Sequence, residues 1–176
     1  EGRSVVLISQ SNDLNARMNV LDYDIKTKVA VLTDTNSVKV QQGPHAESVI
    51  HSPAITLVHD QKGTVSSIWC NGKGWLRTID AQSDQIKLIA QWDKQMRKYP
   101  DQESGLDIVD LENNATLIQP EQQVSLSAKF IRFWIEKNEL EKRTRFSDLQ
   151  SEPQIKNSRK TRGQSDQYQL KQLVAV

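Results

Sequence analysis

The chain has 176 residues, of which 36% are hydrophobic, and 23 Lys+Arg stand against 22 Asp+Glu for a net charge of +1. That length makes one domain of ordinary size, or one domain with a tail, and is enough to bury a core. The balanced charge gives no general reason to expect a nucleic-acid partner. A single cysteine excludes an internal disulfide framework and a Cys-rich zinc site.

The first apolar run, Val5-Val6-Leu7-Ile8, is among the longest in the chain, so no helix here can span a bilayer. Ser11-Asn12-Asp13 then reads as a turn. Further turn signals follow at short spacing: Asp34-Thr35-Asn36, Gln42-Gly43-Pro44, Asp60-Gln61-Lys62-Gly63, Asn71-Gly72-Lys73-Gly74 and Glu112-Asn113-Asn114. Gly and Asn tolerate the positive φ of tight turns. Between the turns the hydrophobic period is 2. Ile55 and Leu57 alternate with Thr56. Ile86, Leu88, Ala90 and Trp92 alternate with Lys87, Ile89 and Gln91. Val124, Leu126 and Ala128 alternate with Ser125 and Ser127, and Ile131, Phe133 and Ile135 with Arg132 and Trp134. Such runs are strands with one buried and one mostly wet face. No amphipathic helix is evident before residue 136, which argues against α/β crossovers. Many short strands with frequent turns predict an all-β sandwich, roll or barrel, with residues 1–136 as its body.

Residues 137–166 are rich in charge and poor in large apolar side chains, and read as a long charged loop or disordered insertion. Glu139 to Arg145 could form a short helix. Residues 167–176 resume the strand pattern, with Tyr168, Leu170, Val174 and Val176 on one parity. No leader is visible at Glu1, and the chain stops on Val-Ala-Val. The expectation is a segment of a longer protein. Val31 to Val58 and Val109 to Ile135 also resemble each other as strand, acidic-Asn turn, short strand, Gln-rich turn and longer strand, which suggests stacked β units.

Chemistry-bearing residues are sparse. His45, His51 and His59 lie close in sequence, but zinc needs three or four convergent ligands and nothing nearby completes a set, so no metal site is expected. Cys70 has no signature of a neighbouring base and reads as a buried structural thiol. The carboxylate pairs Asp22/Asp24 and Asp107/Asp110 could suggest glycoside hydrolysis, but that chemistry needs two carboxylates a set distance apart across a cleft, and catalysis is the minor reading. A solvated strand end with Tyr23 packed inward fits the first pair as well. There is no Gly-rich phosphate loop and no Ser–His–Asp pattern, and no cofactor is expected. Trp69 and Trp75 flank a predicted hairpin turn at Cys70-Asn71-Gly72-Lys73-Gly74, and Trp92 follows. Trp fills cores, lines grooves and stacks on sugars. The basic run Lys156 to Arg162 could meet anionic groups such as lipid phosphates, and reads otherwise as a solvated loop.

The segment Leu21-Asp22-Tyr23-Asp24-Ile25-Lys26-Thr27-Lys28-Val29-Ala30-Val31-Leu32-Thr33 resembles the opening of OstA-like domains, the lipopolysaccharide-transport domains of the periplasmic bridge. Val38 to Gly43 resembles their next strand and turn. Ser52 to Leu57 and Ala128 to Phe133 resemble the strand after it, and Leu170 to Val176 resembles the start of another unit. The resemblance is spread over about two thirds of the chain. The Trp-rich stretch Trp69 to Trp92 and residues 137–166 depart from it.

The resemblance implies an open, twisted β-roll, also called a β-taco or β-jellyroll. It implies a non-enzymatic role in binding or transporting lipopolysaccharide or a similar glycolipid, in the periplasm or envelope of a diderm bacterium. Like domains would stack through edge strands. The residues expected to face inward and line an acyl-chain groove are Ile55, Leu57, Ile86, Leu88, Trp92, Leu117, Leu126, Ile131, Phe133 and Ile135. A one-residue error in parity would flip a strand's set. The alternative is a carbohydrate-binding or structural β-sandwich module of a larger envelope protein, with Trp69 and Trp75 stacking on the ligand and a sealed interior.

Overall fold

A computed structural model describes residues 4–10, 13–43, 46–80, 82–135 and 170–175. Residues 136–169, which include the charged segment, the Glu139–Arg145 helix expectation and Lys156–Arg162, lie outside the described residues, as does His45. Among the described residues there is no α-helix. Twelve strands run in chain order: β1 Val5–Ser9, β2 Leu14–Met18, β3 Val20–Asp24, β4 Val29–Gln42, β5 Ser48–His59, β6 Val65–Asn71, β7 Gly74–Ile79, β8 Ile86–Trp92, β9 Gln95–Pro100, β10 Asp107–Gln119, β11 Val124–Ile135 and β12 Leu170–Ala175.

Every pairing is antiparallel, and the registers divide one continuous sheet into two halves. In the first half, β1 pairs β2, and β2 pairs the C-terminal part of β4. That part pairs the N-terminal part of β5, which pairs β7; β8, the C-terminal part of β10 and the start of β11 complete the series. In the second half, β3 pairs the N-terminal part of β4, followed by the C-terminal part of β5, β6, β9, the N-terminal part of β10, the end of β11 and β12. The long strands β4, β5, β10 and β11 therefore cross a crease and belong to both halves. The molecule is an all-β roll, a sheet folded over on itself.

The crease is built from residues that let a strand bend. In β4 the pairing shifts between Thr33 and Val38. There Asp34 Oδ1 accepts the N–H groups of Asn36 at 2.8 Å and Ser37 at 3.3 Å. In β10 it shifts between Glu112 and Ala115, across Asn113 at φ +66° and Asn114 at φ +47°. Asn bonds its own backbone and tolerates left-handed φ, so it suits a bulge as well as a turn. The shorter strands change halves outright. Gly72 (φ +90°) carries the chain from β6 to β7, with its N–H donating to the Lys94 carbonyl at 2.8 Å. Asp93 and Lys94 carry it from β8 to β9, donating to the carbonyls of Asn113 and Glu112.

Three expectations change as a result. Asp34-Thr35-Asn36 and Glu112-Asn113-Asn114 do not separate strands; each is a bend inside one. Asn71-Gly72-Lys73 is not a hairpin turn, because β6 and β7 do not pair with each other. Both lie alongside β5, one on each side of the crease. Finally, Ile86 is 36% exposed rather than inward. The β7–β8 register shifts between Thr78 and Ile79, so the alternation that holds from Leu88 to Trp92 does not extend to Ile86.

The inner faces of both halves meet in one core. It includes Leu14, Ala16 and Met18 of β2, Leu32, Val38 and Val40 of β4, Ile55 and Leu57 of β5, and Ile131 and Phe133 of β11. Each fully buried Leu, Ile or Phe contributes about 1.5–3 kcal/mol relative to exposure. At the crease the Trp92 indole fills the core and donates Nε1–H to the Gly72 carbonyl at 2.9 Å. Gly74 lies against it. A methyl group there would overlap the His51 carbonyl oxygen and the Trp92 ring.

Candidate functional site

Two cavities stand out in the apolar interior, and the larger is defined by where the halves fail to close. At one end, β1 is the outermost strand of the first half and β3 that of the second, and they do not pair with each other. Between them lies a cavity of about 300 Å³ lined by Leu7, Ile8, Ser9, Leu14, Leu21, Tyr23, Ala30, Leu57, His59 and Val65. That volume is at the lower limit of small-molecule sites, roughly 300–1,000 Å³. At the opposite end an inner void of about 30 Å³ lies among Ile50, Ile68, Leu76, Leu88, Met96, Phe133 and Ile135. It has room for about one water molecule.

The polar groups at the seam sit at its rim. Tyr23 meets the His59 ring edge-on at 6.1 Å between centroids. His59 Nδ1 lies 3.1 Å from the Lys28 carbonyl oxygen, and the His59 N–H donates to the same carbonyl at 3.0 Å. The rest of the lining is mainly aliphatic, so the seam can remove hydrocarbon from water at about 0.8 kcal/mol per CH₂. It presents no arrangement of nucleophile, base and oxyanion donors.

Of the residues expected inward, Ile55, Leu57, Leu88, Trp92, Leu117, Ile131, Phe133 and Ile135 are buried, and Leu126 is half-buried against the core. Leu57 is the one of these that borders the seam cavity. Leu88, Phe133 and Ile135 border the inner void. Sequence reasoning missed Leu7, Leu14, Leu21, Ala30, Val65 and His59 as a set. Leu14-Asn15-Ala16-Arg17-Met18 carries the period-2 signal that would have placed Leu14, but the joining of β1 to β3 across a seam is long-range. Tyr23, expected inward, is exposed at the rim.

Trp69 and Trp75 do not form one platform, for they stand on the outer faces of different halves. Trp69 is 45% exposed between its register partners Thr56 and Arg97. Trp75 is half-buried and stacks on His51 at 4.3 Å with 16° between the rings.

Asp24, Asp107 and Asp110 each have partners within the fold. Asp24 Oδ1 accepts the Lys26 and Thr27 N–H groups. Asp107 pairs with Lys98 and Asp110 with Arg132. Arg132 donates to both Asp110 oxygens at 2.7 and 2.9 Å, and Tyr99 donates to Oδ2 at 3.0 Å. The Asp110 contacts raise the Arg132 pKa further above its usual value. Burial pushes the Cys70 thiol up, away from reactivity. No group of three or more metal-ligating side chains occurs among the described residues.

The fold and seam together define an all-β roll with an apolar interior open at one end. No family model and no curated protein matches the chain. Among solved structures it is similar to LptH, the LptA-homologous periplasmic component of the conserved lipopolysaccharide transport device from Pseudomonas aeruginosa. The two are 18% identical, with a TM-score of 0.55 over 70% of this chain and 77% of LptH. A likeness at that identity is one of fold.

Proposed function

We propose that this chain is a non-enzymatic carrier for lipopolysaccharide or a similar glycolipid, and that acyl chains enter its interior at the β1/β3 seam. The observation that carries the reading is the apolar cavity of about 300 Å³ between two unpaired edge strands. The roll shared with a lipopolysaccharide-transport component supports it. Passage beyond the seam requires the two halves to part, because the inner void has the volume of about one water. Once they part, Leu57, Ile55, Ile131 and Phe133 become the groove wall. Unpaired edges also suit stacking on like domains, since another sheet satisfies their N–H and C=O groups. The setting is the periplasm or envelope of a diderm bacterium.

A photo-crosslinking side chain placed at Leu21 or Phe133, in cells of a lipopolysaccharide-producing bacterium, is expected to capture the glycolipid. Arg132, on the outer face next to Phe133, is expected to capture none. Adducts at Arg132 alone sink the groove. The exposed indole of Trp69 is the one observation that favours a sugar-binding module. Under that reading Trp69→Ala abolishes glycan binding while leaving Leu21 free of lipid adducts.

A further inference from the structure

Charge is handled unevenly over the outer surface of the roll. Several cations meet carboxylates: Lys94 and Arg97 meet Glu112, Lys98 meets Asp107 and Arg132 meets Asp110 on the second half, and Lys73 meets Asp93 and Lys87 meets Asp80 on the first. On the first half, Arg17, Lys39, His51 and Trp75 stand in one register row, one per strand across β2, β4, β5 and β7. Gln91, Thr116 and Ser127 continue that row over β8, β10 and β11. The adjacent row runs Ile8, Asn15, Gln41, Val49, Arg77 and Ile89. Neither row holds an Asp or Glu. Among the described residues, Arg17, Lys39 and Arg77 take part in no ion pair. Burial, then Lys39 and Arg77, hold the His51 pKa below its usual value, with no acidic group among the causes.

We propose that this outer face docks on an anionic lipid bilayer. The chemistry that fits three cations with no ion-pair partner among the described residues, spread over one sheet face, is an array of phosphates. Strands are about 4.8 Å apart, so Arg17 and Lys39 act within one Debye length of about 8 Å. Apolar side chains stand beside the cations: Val6 is 50% and Ile8 67% exposed, on the strand next to Arg17 and Asn15. An acidic protein would leave those side chains in water; the headgroup boundary takes up both kinds, and it favours Trp as well. Ile8 also borders the seam cavity, so a roll docked by this face holds its opening at the membrane. The docking surface stands without any assumption about what the cavity holds.

The test is co-sedimentation of the whole chain with vesicles of phosphatidylglycerol and phosphatidylcholine, against vesicles of phosphatidylcholine alone. Binding is expected to the anionic vesicles and to fall with salt. Each of Arg17→Ala, Lys39→Ala and Arg77→Ala is expected to lower partitioning about fivefold. The triple variant should reach background with an unchanged thermal melt, because none of the three has an ion-pair partner to lose among the described residues. Lys26→Ala, in the exposed β3–β4 turn, should bind as the parent does. Equal binding to both vesicles, full binding by the triple variant, or capture of polyglutamate without capture of anionic vesicles overturns the proposal. Ala30→Leu, which fills the seam, should leave vesicle binding intact, so failure of the carrier reading and failure of the docking surface are told apart.

Discussion

Ala30→Leu and Ala90→Leu are the same chemical change at two buried positions of one core, and the roll predicts opposite signs for them. Ala30 is 2% exposed and borders the seam cavity of about 300 Å³. Three added carbons there enter existing space. At about 0.8 kcal/mol per buried CH₂ they add about 2 kcal/mol of stability. In a chain of this size that raises Tm by roughly 4–8 °C. Ala90 is fully buried between its register partners Leu76 and Leu117, and borders neither cavity. The same three carbons overpack it, at a cost of about 1–3 kcal/mol. Thermal melts followed by circular dichroism measure both. Displacement of a fluorescent fatty-acyl probe reads the site directly. Ala30→Leu removes room for about three chain carbons, so probe affinity should fall by about thirtyfold. If Ala30→Leu destabilises as much as Ala90→Leu, the seam is packed and not a cavity. If it stabilises but leaves probe binding unchanged, acyl chains do not use the seam.

Two further predictions concern the crease. Gly74→Ala pushes the Trp92 indole off its place and breaks its hydrogen bond to Gly72, for a loss of about 2–4 kcal/mol in urea unfolding. Trp92→Phe in the same chain should recover part of that loss, and strict additivity of the two changes would refute the contact. Lys94, then Gln95 and Arg97, hold Glu112 down at about 2 from a usual 4.5, against an opposing effect of burial. A carboxylate with a depressed folded pKa adds stability that is present above pH 4.5 and lost as pH falls through about 2. Glu112→Gln should therefore flatten that part of the acid limb in a plot of urea midpoint against pH, and an unchanged limb would place the acid sensitivity elsewhere.

The alternation of apolar and polar residues was readable wherever a strand runs undisturbed, as in Leu88 to Trp92 and Ile131 to Ile135. Each of these sets its odd or even side chains into the core. It failed at Ile86, where a register shift breaks the period, and a shift leaves no mark in composition. The Asx-rich stretches at Asp34 and Asn113 were readable as bends but not as bends within a strand. The hydrogen bonding that closes a hairpin also folds a sheet. The Trp69–Trp75 stretch misled for a related reason: a glycine at positive φ reverses a chain or carries it over a crease, and the partner strands decide which. The seam could not be read at all. It depends on β1 and β3 lying at the ends of different halves, a relation set by pairings of β2 and β4 far along the chain.

The same folding-over accounts for the polar composition and for the division of labour between inside and outside. A sheet doubled over has one shared inner layer and two outer faces, so each strand commits about half its side chains to water. That gives a domain with only 36% hydrophobic residues a continuous core. Its long strands tie the halves together through the crease, whereas the ends of the halves are held by nothing equivalent. Closing the β1/β3 end would bring two edge strands together and abolish the cavity; leaving it open keeps unpaired backbone and apolar wall in one place. The outer faces are then free to differ. The second half spends its cations on Glu112, Asp107 and Asp110, which locks β9, β10 and β11 side by side. The first half has its own pairs at the β7–β8 end, Lys87 with Asp80 and Lys73 with Asp93, but none on the rows that hold Arg17, Lys39 and Arg77. Its Arg17, Lys39 and Arg77, which take part in no ion pair among the described residues, are left to act on a partner, on the face whose edge residue Ile8 borders the seam cavity.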